Sequence, residues 1–146
     1  MRLTLHTDYA LRTLIYLGTR TDRLVSIHEI AQAYGISENH LMKIIHRLGR
    51  GGFIETVRGR GGGLRLARAA DAIRIGDVVR YTEEDMALVG CMQGDDPSAP
   101  DARPCVLADA CRLKGVLGEA LGAFTAVLDR YTLADMITER TRGVLS

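Results

Sequence analysis

The sequence predicts a mainly α-helical fold that contains one small β-hairpin, and three observations lead to this prediction. Two short segments with helical periodicity flank a glycine-bearing turn in residues 26–50. Two alternating segments flank a stretch rich in arginine and glycine in residues 53–66. A long segment after residue 111 repeats apolar residues at spacings of three and four, which is typical of an amphipathic helix.

Length and composition limit the class of protein. A chain of 146 residues forms one compact domain, or one domain with an oligomerising extension. No apolar run approaches the roughly 18 residues that a membrane span needs, and charges interrupt the N-terminal segment, unlike the apolar core of a signal peptide. Free thiols fit a reducing compartment, so we expect a cytoplasmic protein without a membrane partner.

The net charge of +1 hides an uneven distribution of charged residues. Residues 1–80 contain 13 Lys/Arg and 7 Asp/Glu, a net charge of +6, whereas residues 81–146 contain 6 and 11, a net charge of −5. This asymmetry favours a polyanionic partner for the first part of the chain only.

The first helix is expected from Thr7 to Gly18, with Thr7 as its N-cap and Asp8 in its first turn. Judged by spacing alone, Asp8 is an ordinary carboxylate near a helix N-terminus, where the helix dipole favours negative charge.

Residues 26–50 have the pattern of a helix-turn-helix. Ser26 begins a short helix, and Glu29, three residues later, is placed to complete a capping box. Gly35 suits the end of that helix, and Ser37 caps a second helix that runs to about Arg50. Its outward residues are polar and basic, as in a DNA-recognition helix, although an ordinary helical hairpin has the same pattern.

The hairpin that follows strengthens the DNA-binding interpretation. Arg58 and Arg60 lie among four glycines at its tip, where they can reach a minor groove while the backbone approaches phosphates. A nucleotide-binding loop is excluded, because no Walker-type motif and no following helix are present. Residues 1–82 are therefore predicted to be a winged helix-turn-helix DNA-binding region. The residues expected to contact DNA are Ser26, Ser37, Asn39, His40, Lys43, Arg47, Arg58 and Arg60.

Residues 83–112 contain all three cysteines, Cys91, Cys105 and Cys111, and all three prolines. The spacer between Cys91 and Cys105 is polar and rich in helix breakers, which predicts a mobile surface loop. An odd number of thiols argues against a disulfide framework and favours a metal or redox centre. Three thiolates are one short of a closed four-ligand site, so the fourth ligand must be a different group. A zinc-stabilised module is an alternative.

Residues 113–146 are expected to form a long dimerisation helix and a final short helix capped by Thr132, with the first helix packed against them. Gly115, Gly118 and Gly122 permit the close approach of another helix. The alternative is that the long helix packs only on its own domain. The predicted dimer contacts are Leu117, Phe124 and Val127. We see no catalytic triad, paired carboxylates or cofactor fingerprint and do not expect an enzyme.

Several motifs together resemble the Rrf2 family of winged-helix repressors. They are the RGRGGGLRLAR wing, IRIGDVVR, the three cysteines and the long helix. HTDYALRTLIYL, ENHLMKIIHRLGRGGFI, ACRLK and LDRYTLADM are most similar to its nitric-oxide-sensing members. The resemblance implies a homodimer that binds a palindromic DNA operator while an iron–sulfur cluster is intact and releases it when nitric oxide reacts with the cluster.

The same resemblance implies a ligand set. Cys91, Cys105 and Cys111 would hold the cluster, and Asp8 of the partner subunit would supply the fourth contact in a 4Fe-4S form, with a 2Fe-2S form as the alternative. Other cluster-bearing members place a histidine ligand after the third cysteine, and no histidine follows Cys111 here. The spacer of 13 residues between Cys91 and Cys105 is longer than usual in the family, which costs little in loop closure. A regulator that senses redox state, thiols or iron availability on the same fold is the alternative function.

Overall fold

The computed structural model describes residues 1–94 and 105–146. The prediction of a mainly helical fold with one β-hairpin is confirmed. The elements are α1 (Leu5–Gly18), α2 (Ile27–Tyr34), α3 (Glu38–Arg50), β1 (Ile54–Val57), β2 (Gly63–Leu66), α4 (Ile75–Thr82), α5 (Arg112–Asp129), α6 (Leu133–Met136) and α7 (Glu139–Leu145), with short 3₁₀ helices at Ala70–Ala72 and Gly90–Met92.

The helix-turn-helix consists of α2 and α3, and its predicted caps are confirmed. The Ser26 hydroxyl accepts a hydrogen bond from the Glu29 amide at 3.2 Å, and the Ser37 hydroxyl accepts one from the His40 amide at 3.2 Å. Gly35 ends α2 with a left-handed φ of 65°, a conformation that glycine adopts without strain. The reciprocal half of the capping box differs from the prediction, because the Glu29 carboxylate accepts hydrogen bonds from Arg23 and from the Tyr16 hydroxyl instead.

Strands β1 and β2 pair antiparallel, with Ile54 opposite Leu66 and Val57 opposite Gly63. Leu64 also exchanges backbone hydrogen bonds with Val25, so a third segment lies beside the hairpin. Ile54 and Leu64 are buried. The hairpin is thereby anchored at its base, and the turn with residues 58–62 lies away from the core as the wing.

Helix α1 runs through the centre of the core and contacts α3, α4, β2 and α6. Its residues Ala10 and Leu14 are fully buried, as are Leu41, Ile44 and Leu48 of α3. Burying one side chain of this size contributes about 1.5–3 kcal/mol. One face of α3 is therefore fixed against the core, and the opposite face is left for solvent or a ligand.

The predicted start of the first helix was wrong, because α1 begins at Leu5 and Thr4 is its N-cap. The Thr4 hydroxyl accepts a hydrogen bond from the Thr7 amide at 3.3 Å. Thr7 lies inside the helix, fully buried, and its hydroxyl is 2.8 Å from the Thr82 hydroxyl. A tertiary hydrogen bond thus uses the side chain that was expected to cap the helix.

The predicted final helix is two helices rather than one. Ile137 leaves the helical conformation after α6, and Thr138 begins α7 by accepting a hydrogen bond from the Thr141 amide at 3.1 Å. The predicted start after Thr132 is confirmed, because α6 begins at Leu133 and the Thr132 amide donates to the Asp135 carboxylate at 2.7 Å.

Helix α5 has 18 residues, and none of them is buried. Its main contact within the described residues is with α4, whereas α1 packs against α6. None of the helices in residues 1–94 or 105–146 is both long and apolar enough to cross a membrane. Most of the predicted mobile loop, including Pro97, Pro100 and Pro104, lies outside the described residues.

Candidate nucleic-acid interface and cysteine site

The exposed face of α3 is polar and basic. At 100° per residue, Asn39, Lys43, His46 and Arg50 fall on one narrow stripe opposite the buried leucines and isoleucines, and all four are exposed. His46 and Arg50 continue the stripe from Lys43 at spacings of three and four residues but were not among the predicted contacts. The periodicity that identified the buried face was the signal that could have identified them.

Two of the predicted α3 residues have neighbours within the protein. His40 is half-buried, and its ring packs edge-on against Tyr9 with centroids 5.2 Å apart. Arg47 keeps about a third of its side chain exposed, but its Nη2 donates to the Tyr81 carbonyl at 2.9 Å. Both residues therefore lie at the edge of the exposed stripe rather than at its centre.

The predicted capping serines lie at the exposed N-terminal ends of the two helices, and Ser26 and Ser37 are themselves exposed. The first turn of a helix offers backbone N–H groups to anions such as DNA phosphates. His28 of α2 is 2.6 Å from the Glu38 carboxylate of α3, which joins these two helix ends.

The wing brings the other two predicted arginines to the surface. Arg58 and Arg60 are exposed, and in the described chain neither has an acidic partner within 4.0 Å. Gly59 and Gly61 have φ values of 98° and 76°, which a residue with a side chain rarely adopts. In contrast, Arg65 on β2 donates to Glu55 on β1 at 2.9 Å. The charges of the tip are thus available to a partner, and that of Arg65 is already compensated.

All three cysteines lie within the described residues, and none is in a disulfide bond. Cys91 and Cys105 are exposed, and Cys111 is half-buried at the N-cap of α5. Within residues 1–94 and 105–146, no three His, Cys, Asp or Glu side chains converge closely enough to hold a metal ion. A single chain therefore presents the thiols but does not gather them with Asp8.

The Asp8 carboxylate is occupied by a neighbour on its own helix. Arg12 Nε donates to Asp8 Oδ1 at 3.0 Å, and Arg12 Nη2 lies 2.9 Å from Asp8 Oδ2. The Arg12 guanidinium also lies 5.9 Å from the ring centroids of Tyr9 and Tyr34. Asp8 is partly exposed, so its carboxylate is accessible from the surface of the protein.

A cleft of about 430 Å³ lies beside the N-terminus of α1. His6 lines it, and its Nε2 is buried without a hydrogen-bond partner in the described chain. Burial lowers the pKa of His6, and the nearby charges of Arg47 and His40 lower it further. The cleft also contains Glu83 and Glu84, at the start of the segment that leads to Cys91.

Comparison with known proteins agrees with this geometry. Residues 3–139 match the Rrf2 family, described as iron-dependent transcriptional regulators. The HTH-type transcriptional regulator NsrR of Bacillus licheniformis is 50% identical over 138 residues, which cover 94% of this chain and 92% of the relative. The regulator of the same name from Bacillus subtilis is 49% identical over 141 residues, covering 96% and 92%.

Solved structures show the same fold. CymR, the global cysteine regulator of B. subtilis, superposes with a TM-score of 0.71 at 25% identity, and the match covers 93% of this chain and 95% of that one. IscR of T. potens gives a TM-score of 0.68 at 28% identity and covers 93% and 85%. The chain thus belongs to the Rrf2 family and is an NsrR-type, DNA-binding transcriptional repressor rather than an enzyme.

Proposed function

We propose that the protein is a homodimeric, cytoplasmic repressor that binds a palindromic operator and releases it when nitric oxide reacts with an iron–sulfur cluster held by its cysteines. One observation carries the proposal beyond DNA binding. The chain has three thiols outside any disulfide, Cys91 in the segment after α4 and Cys105 and Cys111 before α5. The chain that carries them is about half identical to NsrR regulators.

The exposed stripe of α3 is proposed to enter the major groove, with Asn39 and Lys43 near the base edges and Arg47 at its border. Side-chain amides and ammonium groups suit base edges there. Arg58 and Arg60 of the wing would contact the minor groove or its phosphates. DNA phosphates would accept hydrogen bonds from Ser26, Ser37 and the adjacent backbone amides. These contacts would position the winged helix-turn-helix region, residues 1–82 and called the DNA-binding head from here on, along the DNA.

The dimer is proposed to form through the exposed apolar stripe of α5. Phe124 and Val127 lie on this stripe and are exposed, whereas Leu117 lies on the half-buried side that faces α4. By helical periodicity the three glycines of α5 lie on the opposite face from Phe124. Apart from neighbouring residues of the same helix, no atom of the described residues lies within 4 Å of where their β-carbons would be. The apolar stripe rather than the glycine face is therefore our proposed seam.

The donor set fits an iron–sulfur cluster. Thiolates are the ligands that such clusters prefer, and none of the three thiols is used in a disulfide. Cys111 leaves the first-turn amides of α5 without a side-chain cap, so these N–H groups can face an anionic group. With Asp8 of the partner as the fourth contact, we propose a 4Fe-4S cluster; a 2Fe-2S cluster is the alternative.

Asp8 would connect the cluster to the partner's DNA-binding head. A carboxylate oxygen is a harder and weaker ligand for cluster iron than a thiolate, which makes this contact the most easily displaced. Bound, the cluster would supply iron that reacts with nitric oxide. After displacement, the Asp8 carboxylate can return to the Arg12 guanidinium on its own helix. Losing the intersubunit contact would change the distance between the two recognition helices, which a palindrome fixes at about 34–36 Å or a multiple.

Anaerobic purification tests the proposal. We expect a coloured protein that contains iron and sulfide, binds a selected operator duplex, and loses that binding when titrated with nitric oxide. Cys111→Ser should be colourless, because two thiolates remain. A colourless parent protein that contains zinc would overturn the cluster, and a coloured protein whose operator binding ignores nitric oxide would overturn the signal.

The exposure of the thiols favours one second candidate, a thiol or redox sensor without a cluster. The same preparation separates the two functions. A thiol sensor would be colourless, would bind DNA in its metal-free reduced form, and would lose binding after oxidation with restoration by a dithiol. The cluster sensor would not regain binding with a dithiol alone.

Asp8→Ala tests the proposed fourth ligand. The three thiolates should still hold the cluster, with solvent or an added thiol at the fourth iron, so the variant should stay coloured but bind operator weakly. Asp22→Ala is the matched control, because Asp22 is an exposed aspartate outside the helices. If Asp8→Ala bound operator and responded to nitric oxide like the parent, Asp8 would be only a helix-start carboxylate.

A further inference from the structure

Helix α4 is attached to the recognition helix by a reciprocal pair of hydrogen bonds. The Tyr81 hydroxyl donates to the Arg47 carbonyl at 2.7 Å, and Arg47 Nη2 donates to the Tyr81 carbonyl at 2.9 Å. The guanidinium also lies 5.7 Å from the Tyr81 ring centroid. Each residue therefore binds the backbone of the other's helix, and a displacement of one helix end relative to the other breaks both bonds.

The end of α3 is shaped to receive this ring. A β-carbon at Gly51 would lie 2.7 Å from Cε1 and Cζ of Tyr81, closer than real β-carbons approach. Phe53 packs against the same ring, with ring centroids 5.4 Å apart. The half-buried Tyr81 ring thus lies against the residue that follows α3 and against the start of the hairpin.

The opposite end of α4 is attached to α5. At this N-terminal end, a β-carbon at Gly76 would overlap Asp129 Oδ1. Arg80, the residue before Tyr81, reaches back along α4 to pair with the same Asp129 carboxylate. The Ile75 amide donates to the Tyr131 carbonyl at 3.0 Å, just after α5 ends. Helix α4 therefore spans from the C-terminal end of α5 to the C-terminal end of α3.

The chain continues from the Tyr81 end directly into the segment that leads to Cys91. Thr82 contacts Thr7 of α1, and Glu83 accepts hydrogen bonds from the amide and hydroxyl of Thr4 at 2.8 and 2.9 Å. Arg47 Nη1 lies 3.9 Å from the Glu84 carboxylate. Residues 82–84 thus connect the segment that leads to Cys91 with Tyr81, with α1 and with Arg47.

We propose that Tyr81 is a positioning residue that transmits the state of the Cys91 segment to the recognition helix through Arg47. The inference rests on the proposed function for its signal, but the contact itself does not depend on a cluster. Losing the Tyr81 hydroxyl leaves the ring in the pocket formed by Gly51 and Phe53 and removes one of the two bonds to α3. With only the bond from Arg47 to the Tyr81 carbonyl left, the recognition helix should follow changes in the segment less closely.

The test compares Tyr81→Phe with the parent protein and with Tyr16→Phe. Tyr16 also donates a side-chain hydrogen bond, to Glu29 at 2.8 Å, but it joins α1 to α2. Operator affinity is measured for the cluster-loaded and the cluster-stripped protein. We expect the ratio of the two affinities to fall at least about fivefold in Tyr81→Phe and to stay unchanged in Tyr16→Phe. Arg47→Lys, which keeps the positive charge, should lower the ratio as Tyr81→Phe does.

A second measurement needs no cluster, because coupling between two sites is reciprocal. In the stripped parent, binding of a selected operator duplex should alter amide hydrogen exchange in residues 83–94, and in Tyr81→Phe this change should be lost. If the operator affinity of the parent protein did not depend on cluster loading, the proposed function would be refuted. The hydrogen-exchange measurement would then still test the role of Tyr81. If Tyr81→Phe transmitted operator binding to residues 83–94 as the parent does, the positioning role would be wrong.

Discussion

The DNA-binding head and α5 differ in how far one chain buries their apolar side chains. In the head, Leu14, Leu41 and Leu48 are 0% exposed. In α5 no residue is buried, and Phe124 and Val127 are 36% and 44% exposed. The core of the head is complete in one chain, whereas α5 retains an exposed apolar stripe and begins directly after Cys111. The difference teaches that one chain builds its own stable DNA-binding head, whereas the proposed assembly and sensing would require groups from a second chain.

The largest expected effect is on assembly. Val127→Glu would place an unpaired charge in the proposed seam, which costs about 3–5 kcal/mol, so light scattering should show a monomer. Ala126→Glu is the control, because Ala126 is the exposed neighbour on a different side of α5. A stable dimer of Val127→Glu would show that the exposed apolar stripe of α5 is not the dimer interface.

Core truncation sharpens the same comparison. Leu48→Ala should lower the free energy of unfolding by about 2–5 kcal/mol, because it opens a cavity against α1. Leu113 lies on the exposed apolar side of α5 at 62% exposure. In the monomeric Val127→Glu background, where no partner would cover this side, Leu113→Ala should change the free energy of unfolding by less than about 0.5 kcal/mol. Urea unfolding of both variants provides the measurement, and equal losses would contradict the comparison.

A smaller effect is expected at the wing. Arg60→Ala should weaken operator binding and reduce the slope of log affinity against log salt by about 0.9, the value for one lost phosphate contact. Arg65→Ala should leave the slope nearly unchanged, since Arg65 is already paired with Glu55. An unchanged salt slope and affinity in Arg60→Ala would show that the wing tip does not contact DNA.

The smallest effect depends on pH. The Arg23 guanidinium beside Glu29 lowers the pKa of that carboxyl from 4.5 to about 2. The interaction therefore stabilises the head above about pH 4.5, and its contribution is lost as the pH falls toward 2. Because the pair is partly exposed, we expect Glu29→Gln to cost about 1 kcal/mol at pH 7. Chemical denaturation from pH 7 to pH 2 should show the difference from the parent shrinking with acid; a constant difference would contradict the assigned cause.

Sequence reasoning succeeded where the determining contacts are local. Ser26, Gly35 and Ser37 were identified because caps involve residues only two or three positions apart. The buried face of α3 followed from its periodicity in the same way. These local patterns are sufficient to predict the helix-turn-helix and the hairpin.

Sequence reasoning failed where a residue distant in sequence forms a hydrogen bond with a side chain that was expected to cap a helix. Thr7 was expected to cap α1, but its hydroxyl pairs with Thr82, 75 positions away. Glu29 was expected to complete a capping box, but Arg23 and Tyr16 use its carboxylate. The Tyr81–Arg47 contact, across 34 positions, also has no local pattern. Predicting such contacts requires knowing which helices meet, and a one-dimensional pattern does not contain that information.

The exposure of α5 has a consequence for the lifetime of the dissociated chain. A helix of this length is only marginally stable by itself, and each of its three glycines lowers helix propensity by about 1 kcal/mol. A protomer released from the proposed dimer by dilution would therefore fray in α5 while its buried core keeps the head folded. A protease would cut diluted protein within residues 112–129 and spare the head, so the cell could remove unassembled subunits without a dedicated degradation tag.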